Sequence, residues 1–229
     1  TRKDPTVAFE SLLHPGVRRL TDAAVGIDAA ARTVQLAGGS TADYDHLVYA
    51  VGSGQTKVPD GALAISTRAG AEQARGALAA LAPGSRVAVV GGGLTAIETA
   101  AETAYRHPGL RVSLHTADVP APRVSAGARR GLARSLRRAG VEQRTGTPVS
   151  PSGNPRAAAD ADLVLWCTGF SVPDLARVSG LPTDHAGRLL VEPNLQGRGQ
   201  PRIYGAGDAA VIAGPDYAYL RMSCASAMP

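Results

Sequence analysis

The chain is poor in aromatic residues: they make up 4% of its 229 positions. Alanine, valine and leucine must therefore fill the interior, and a hydrophobic content of 44% is enough for a real core. Cysteine is also scarce. Cys167 and Cys224 stand far apart and no C-x-x-C occurs, which removes support for a thioredoxin-like redox pair and for a zinc site. Both thiols are expected to stay reduced in a cytoplasmic setting. Cys167 lies in an apolar run and reads as a small buried hydrophobe rather than a nucleophile. The five histidines are scattered and offer no ligand spacing. No apolar run approaches the roughly 18 residues that a spanning helix needs. The opening Thr-Arg-Lys-Asp-Pro has no apolar segment behind it, so it is not a signal peptide. There is no initiator methionine either, and the chain reads as cut or processed. The absence of a G-x-S-x-G elbow argues against a hydrolase of that type. Lysine is limited to Lys3 and Lys57, and arginine supplies the rest of the positive charge. An arginine- and alanine-rich chain is expected from a GC-rich genome, so the net charge of +5 is discounted as a functional signal.

Against these absences stands one dense segment, Arg86–Ala100. A β-rich run (Val87, Ala88, Val89, Val90) meets Gly91-Gly92-Gly93. Apolar Leu94, Ile97, Ala101 and Ala104 then follow at helical spacing. This is strand, glycine turn, helix, with the spacing G-x-G-x-x-A. Gly91 permits the tight turn, Gly93 lets the backbone approach a pyrophosphate, and Ala96 allows helix and strand to pack closely. The unpaired amides and positive end of the helix would face the phosphates. A glycine-rich turn without a ligand is the alternative for this triplet taken alone.

Around this segment the chain alternates. Residues 1–54 read as short strands and turns: Val25 and Ile27 lie on one strand face, Thr33–Leu36 form a second strand, and Tyr44–Ser53 form a buried strand running into glycine. Residues 55–62 read as a linker, and a helix is expected from about Arg68 to Leu81. Strands at Arg86–Val90 and Leu110–His115 and a third from Val141 alternate with helices, which implies a parallel sheet. The second helix runs about Ser125–Ala139, with Ser125 as N-cap, Gly140 as its stop, and Leu132 and Leu136 facing inward. Its arginines (Arg129, Arg130, Arg134, Arg137, Arg138) carry no interleaved aromatic, which argues against nucleic acid. They read as a solvated helix face, in preference to a contact for an acidic membrane or a cofactor 2′-phosphate. Residues 150–160 read as a loop. Leu163–Cys167 form a buried strand running into Thr168-Gly169. Arg202–Ala210 form a short strand ending in glycines and an acid.

The order of these motifs resembles the two-dinucleotide-fold FAD/NAD(P)H oxidoreductases, the pyridine nucleotide-disulfide oxidoreductase superfamily. Within it the nearest resemblance is to the type II NADH dehydrogenase-like and apoptosis-inducing-factor-like branch. Tyr44–Ser53 is similar to the strand that leaves the first half of the FAD domain, and Gly91–Glu98 to the NAD(P)H phosphate loop. Trp166–Phe170 is similar to the strand end that closes the NAD(P)H domain, and Tyr204–Ala209 to the second FAD motif. Arg221-Met222-Ser223-Cys224 resembles the start of a helix approaching the flavin. The resemblance implies an α/β fold: a Rossmann-like NAD(P)H domain (72–172) inserted in an incomplete FAD-binding Rossmann-like domain (1–71 with its linker, and 173–229).

It also implies site residues. NAD(P)H would lie on Gly91, Gly92, Gly93, Leu94, Thr95, Glu98, Thr116, Thr168, Gly169 and Phe170. FAD would lie on Ala50, Val51, Gly52, Gly207, Asp208 and Ala209. Glu98 would be the catalytic group near the nicotinamide and flavin, with an exposed helical glutamate as the alternative. Asp208 would accept from a ribityl hydroxyl, and could equally serve as a helix N-cap. Thr116 occupies the place where an acid selects NADH. Asp118, two residues on, tilts the reading toward NADH. No metal is implied.

Two departures from the family pattern carry expectations. The opening strand–G-x-G-x-x-G–helix is missing, as is a domain beyond residue 229, so the chain reads as an internal fragment. Residues 146–160 are short where a β-meander is usual. If the missing first strand lies between the strands ending at Gly52 and near Gly207, their inner edges are left unpaired and FAD is held weakly or not at all. The implied activity is hydride transfer from NAD(P)H to FAD and on to a small-molecule acceptor such as a quinone. The fragment alone is expected to be inactive. The full-length protein is expected to be cytoplasmic, with room for peripheral membrane contact and a homodimer. The alternatives are an NAD(P)H-binding fragment or sensor without flavin, and an interaction protein that kept the fold without catalysis.

Overall fold

The computed structural model describes residues 7–55, 58–122 and 124–214. The Arg221–Cys224 segment lies outside them. The chain divides into two compact units, one formed by residues 1–52 with 173–229 and the other by residues 53–172.

In the first unit, β1 (Ala24–Asp28), β2 (Thr33–Leu36) and β3 (Thr41–Asp43) form an antiparallel sheet in the order β1-β2-β3. Turn chemistry sets it: the Asp28 carboxylate caps the amides of Ala30 and Ala31, and Gly39 takes the positive φ of +86° that an L side chain resists. β4 follows at Leu47–Tyr49. It is shorter than the strand expected over Tyr44–Ser53, because β3 ends at Asp43 and an irregular stretch intervenes.

The second unit contains β5 (Gly54–Gln55), β6 (Ala62–Ala64), α1 (Arg68–Ala79), β7 (Arg86–Val90), α2 (Leu94–Arg106), β8 (Arg111–Thr116), α3 (Ala126–Arg138), β9 (Glu142–Thr145), α4 (Pro155–Ala159), β10 (Leu163–Trp166) and β11 (Phe170–Ser171). Five of these strands pair in the order β6-β10-β7-β8-β9, every neighbour parallel. The alternation of strand and helix thus produces the parallel Rossmann-like sheet it implied. β7 is central. Val87, Ala88, Val89 and Val90 are all buried, which an unbroken apolar strand requires when both sheet faces are covered. On one face Val87, Val89, Leu114 and Leu165 pack against Ala96, Ile97 and Ala100 of α2. On the other, Ala88, Val90, Val164 and Trp166 pack against Val149, Ala159 and Ala161. Each fully buried valine or leucine contributes roughly 1.5–3 kcal/mol.

Several segments depart from the sequence reading. Residues 55–62 include the last residue of β5, which pairs with β11, and the first residue of β6, which adds a parallel strand beside β10. Residues 53–71 accordingly lie with the second unit in the compact division. Residues 150–160 contain α4, whose Asn154 side chain accepts from the amides of Arg156 and Ala157 while Pro155 occupies the first turn. The buried stripe of α2 is Ala96, Ile97, Ala100 and Thr103, with Ala101 and Ala104 at its margin. Leu94 is 39% exposed instead. α3 matches its expected limits, with Ser125 accepting from the Ala128 amide and Gly140 at φ +77°. Leu136 is buried and Leu132 half-buried.

The chain returns to the first unit through α5 (Leu175–Val178), β12 (Leu189–Val191), β13 (Gln196–Gly197), β14 (Gln200–Gly205) and β15 (Ala210–Ile212). With β4 they build a mixed sheet in the order β15-β12-β13-β14-β4. β14 and β4 pair directly and in parallel, Ile203 with Leu47, Tyr204 with Val48 and Gly205 with Tyr49. This corrects the expectation that a missing strand would leave a gap between them: the two strands share their inner edges, and β4 is the sheet edge among the described residues. The Tyr49 side chain is buried and its hydroxyl accepts from the Ala176 amide, tying the sheet to α5.

Candidate functional site

In the second unit, Gly91–Gly93 leave the carboxyl end of β7 at the centre of the parallel sheet. The chain proceeds from β7 to β8 on one side, while β10 lies on the other. A crevice at such a change of direction is where open α/β sheets bind ligands. Backbone hydrogen bonds fix the loop. The Gly91 amide donates to the His115 carbonyl (2.9 Å), Cys167 donates to Val90 (2.8 Å), and Ala121 donates to Gly92 (2.8 Å). Residues from three connections thus meet around three glycines.

The glycines differ in what they do. Gly91 has φ +148°, and a Cβ there would lie 2.7 Å from the Cys167 carbonyl oxygen and 3.1 Å from the Ala96 Cβ. It is required by the close approach of β10 and α2. A Cβ at Gly93 would meet nothing within 4 Å, so its backbone faces open space. Gly93 is also the N-cap of α2, and no side chain caps that helix. The unit's other three helices are capped, by Thr67, Ser125 and Asn154. The start of α2 therefore keeps its amides for an external acceptor, the arrangement that favours a phosphate.

The residues expected on NAD(P)H mostly gather here. Leu94 and Thr95 open α2 and are exposed. Thr116 ends β8 and is buried, and a Cβ at Gly92 would lie 4.0 Å from its Cβ. Thr168 and Gly169 follow β10, Gly169 with φ +78°, and Phe170 begins β11. Glu98 lies one turn into α2 and is exposed. Beneath the loop Cys167 contacts the Thr99 hydroxyl at 3.8 Å, and burial pushes its thiol up to about 11 despite that contact. Such a thiol is a poor nucleophile. His115 is buried, with its Nε2 3.0 Å from the Ser113 hydroxyl. Burial holds it below the usual imidazole range, and the nearby Arg144 acts in the same direction.

The residues expected on FAD gather in the first unit. Ala50–Gly52 follow β4, and Gly207–Ala209 form a 3-10 turn after β14. Because β4 and β14 are parallel neighbours, the two motifs emerge side by side, and the Ala206 amide donates to the Tyr49 carbonyl (3.0 Å). Asp208 sits inside the turn, whose N-cap position is Ala206. Gly52 and Gly207 have φ of +68° and +73°, with nothing within 4 Å of a built Cβ. Both could approach a cofactor closely. Gly205 serves packing instead: a Cβ there would strike Ala210 and Val191 at 2.7 Å. No group of side chains suited to a metal occurs among the described residues.

Sequence reasoning did not foresee the pinning of residues 119–122 to the phosphate loop. It also missed a cleft of about 340 Å³ between that segment, α3 and β9, lined by Val119, Pro120, Arg129, Arg130 and Thr145 among others. Nothing in the local pattern marks either feature.

Comparison with known proteins identifies the family of the fold. The family model described as pyridine nucleotide-disulphide oxidoreductase matches residues 5–228. An NADH dehydrogenase-like protein of Mycobacterium tuberculosis is 33% identical over 244 residues, covering 93% of this chain and 60% of that protein. Human ferroptosis suppressor protein 1 is 29% identical over 216 residues, covering 86% of this chain and 58% of that one. Putidaredoxin reductase, in its covalent complex with putidaredoxin, superposes with a TM-score of 0.69 at 26% identity, covering 85% of this chain and 51% of that one. The chain thus spans about 60% of the length of the curated relatives it matches.

Proposed function

The chain belongs to the pyridine nucleotide-disulphide oxidoreductase family, and from that premise we propose that it is the nucleotide-handling core of an FAD-dependent NAD(P)H oxidoreductase. In such an enzyme the nicotinamide reduces the flavin, which passes electrons to an acceptor such as a quinone. The observation that carries the reading is the uncapped start of α2 behind an open Gly93, at the centre of the parallel sheet. Those amides would hold the pyrophosphate of NAD(P)H. Thr168 and Gly169 would border the nicotinamide half across the crevice, and exposed Glu98 would orient the ring or hold a proton beside it. In the first unit, the glycine-lined ends of β4 and β14 fit the close passage of FAD, with Asp208 accepting from its ribityl chain.

The test combines a nucleotide titration of this chain with a visible spectrum of the full-length protein, before and after anaerobic NAD(P)H. Saturable nucleotide binding by the chain and a flavin band that bleaches sustain the proposal. Nucleotide binding without any flavin in the full-length protein would make it a sensor module instead. A chain that binds neither NADH nor NADPH refutes the nucleotide site.

A further inference from the structure

We propose that the adenosine end of this site selects NADPH over NADH, and that Arg130 is the residue that makes the selection. The inference rests on the nucleotide site proposed above. A site that selects NADH places a carboxylate at the end of the second strand, where it accepts from the ribose 2′-hydroxyl and repels a 2′-phosphate. Here that place is taken by Thr116, which is neutral, buried and set against Gly92 of the phosphate loop. Its hydroxyl donates its proton to the Asp118 carbonyl and carries no charge to set against a 2′-phosphate. The one carboxylate nearby in sequence, Asp118, turns onto its own loop and accepts from the Val119 amide at 2.7 Å. That bond takes up one oxygen of an exposed carboxylate, so the pull of Asp118 toward NADH competes with the cationic cleft beside it.

Beside this position lies the cleft between residues 119–120, one face of α3 and β9. Its floor is Leu132, Ala133 and Leu136. Thr145, at its rim, pairs in register with Thr116. No acidic residue lines it, and two arginines do. The two play different parts. The Arg129 Nη1 donates to the carbonyls of Val124 (2.8 Å) and Pro122 (3.2 Å), which braces the loop. Arg130 is exposed, and among the described residues it has no carboxylate partner. A planar guanidinium free to swing over a cleft floored by apolar side chains suits a phosphate monoester attached to a ribose. Two cations against the single Asp118 carboxylate make the local field favour that added negative charge.

Calorimetric titration of this chain with NAD⁺ and NADP⁺, and with 2′,5′-ADP as the isolated end group, tests the inference. NADP⁺ should bind about tenfold tighter than NAD⁺, as one charge-assisted contact provides, and the gap should narrow as salt is raised. Arg130→Gln should remove most of that gap by weakening NADP⁺ and 2′,5′-ADP, while Arg130→Lys restores part of it. Tighter or equal binding of NAD⁺ overturns the inference. So does an Arg130→Gln protein that loses affinity for both nucleotides equally. If neither nucleotide binds, the nucleotide-site reading itself falls, and the selectivity falls with it. The side chain is exposed, so an unchanged melting curve is the expected control.

Discussion

Replacing Gly91 with alanine separates the glycine that builds the phosphate loop from the one that serves a ligand. The added Cβ would lie 2.7 Å from the Cys167 carbonyl oxygen, 3.0 Å from its carbon and 3.1 Å from the Ala96 Cβ. Two of those atoms are backbone on β10's exit, and the third is on the face of α2 buried against the sheet, so none can swing aside. A φ of +148° adds strain of about 1–3 kcal/mol for an L side chain, and overpacking a tight interior costs about 1–3 kcal/mol more. The expected loss is therefore about 2–6 kcal/mol, a large share of the roughly 5–15 kcal/mol that holds a typical domain. For a unit of this size that lowers the melting temperature by about 10 °C or more. Trp166, the single tryptophan of the chain, is buried in β10 next to β7, so its fluorescence reports this unit's transition. Gly93→Ala is the matched control. It meets nothing within 4 Å at φ −83°, so stability should stay within about 0.5 kcal/mol while nucleotide affinity falls. A Gly91→Ala protein melting within about 2 °C of the parent would refute the reasoning.

Other expectations follow from the same geometry. Asn154→Ala should cost about 1 kcal/mol, because the amides of Arg156 and Ala157 lose their acceptor; urea unfolding followed at Trp166 would show it. His115 titrates below its unfolded value near 6.5. In the folded state it therefore resists protonation, and its contribution is fully present above about pH 6.5 and is lost as pH falls through that value toward the folded one. Melting curves between pH 8 and pH 5 should slope downward over that window, and His115→Gln should flatten the slope. Cys167, with a thiol near 11, should resist alkylation at pH 8 in the native protein and react once denatured; rapid native labelling at this residue, located by mass spectrometry, would contradict its burial.

Much of the architecture was legible because it rests on local pattern. The run Val87–Val90 followed by three glycines and a helical period leaves few folds open, and the alternation beyond it implies a parallel sheet. Ser125 and Gly140 bounded α3 because a hydroxyl cap and a positive-φ glycine work through their nearest neighbours. α4 carried an equally local signal, Asn154 before Pro155, which the surrounding Pro-Ser-Gly-Asn-Pro composition concealed. The exposure of Leu94 was harder to foresee: its spacing fits the apolar stripe, yet it stands at the open end of the sheet and is only partly covered by the described residues.

The sequence by itself determined which backbone could turn, which strand had to be buried on both faces, and where a dinucleotide's phosphates could meet amides. Those properties belong to φ, to side-chain period and to the absence of a Cβ. Tertiary structure alone decided that β4 pairs directly with β14, that residues 119–122 are pinned to Gly92, and that Arg129 and Arg130 line a cleft beside a neutral Thr116. Each of these depends on chain segments brought together across long separations. No local pattern encodes such register, because its energy comes from contacts that exist only once the sheets have formed.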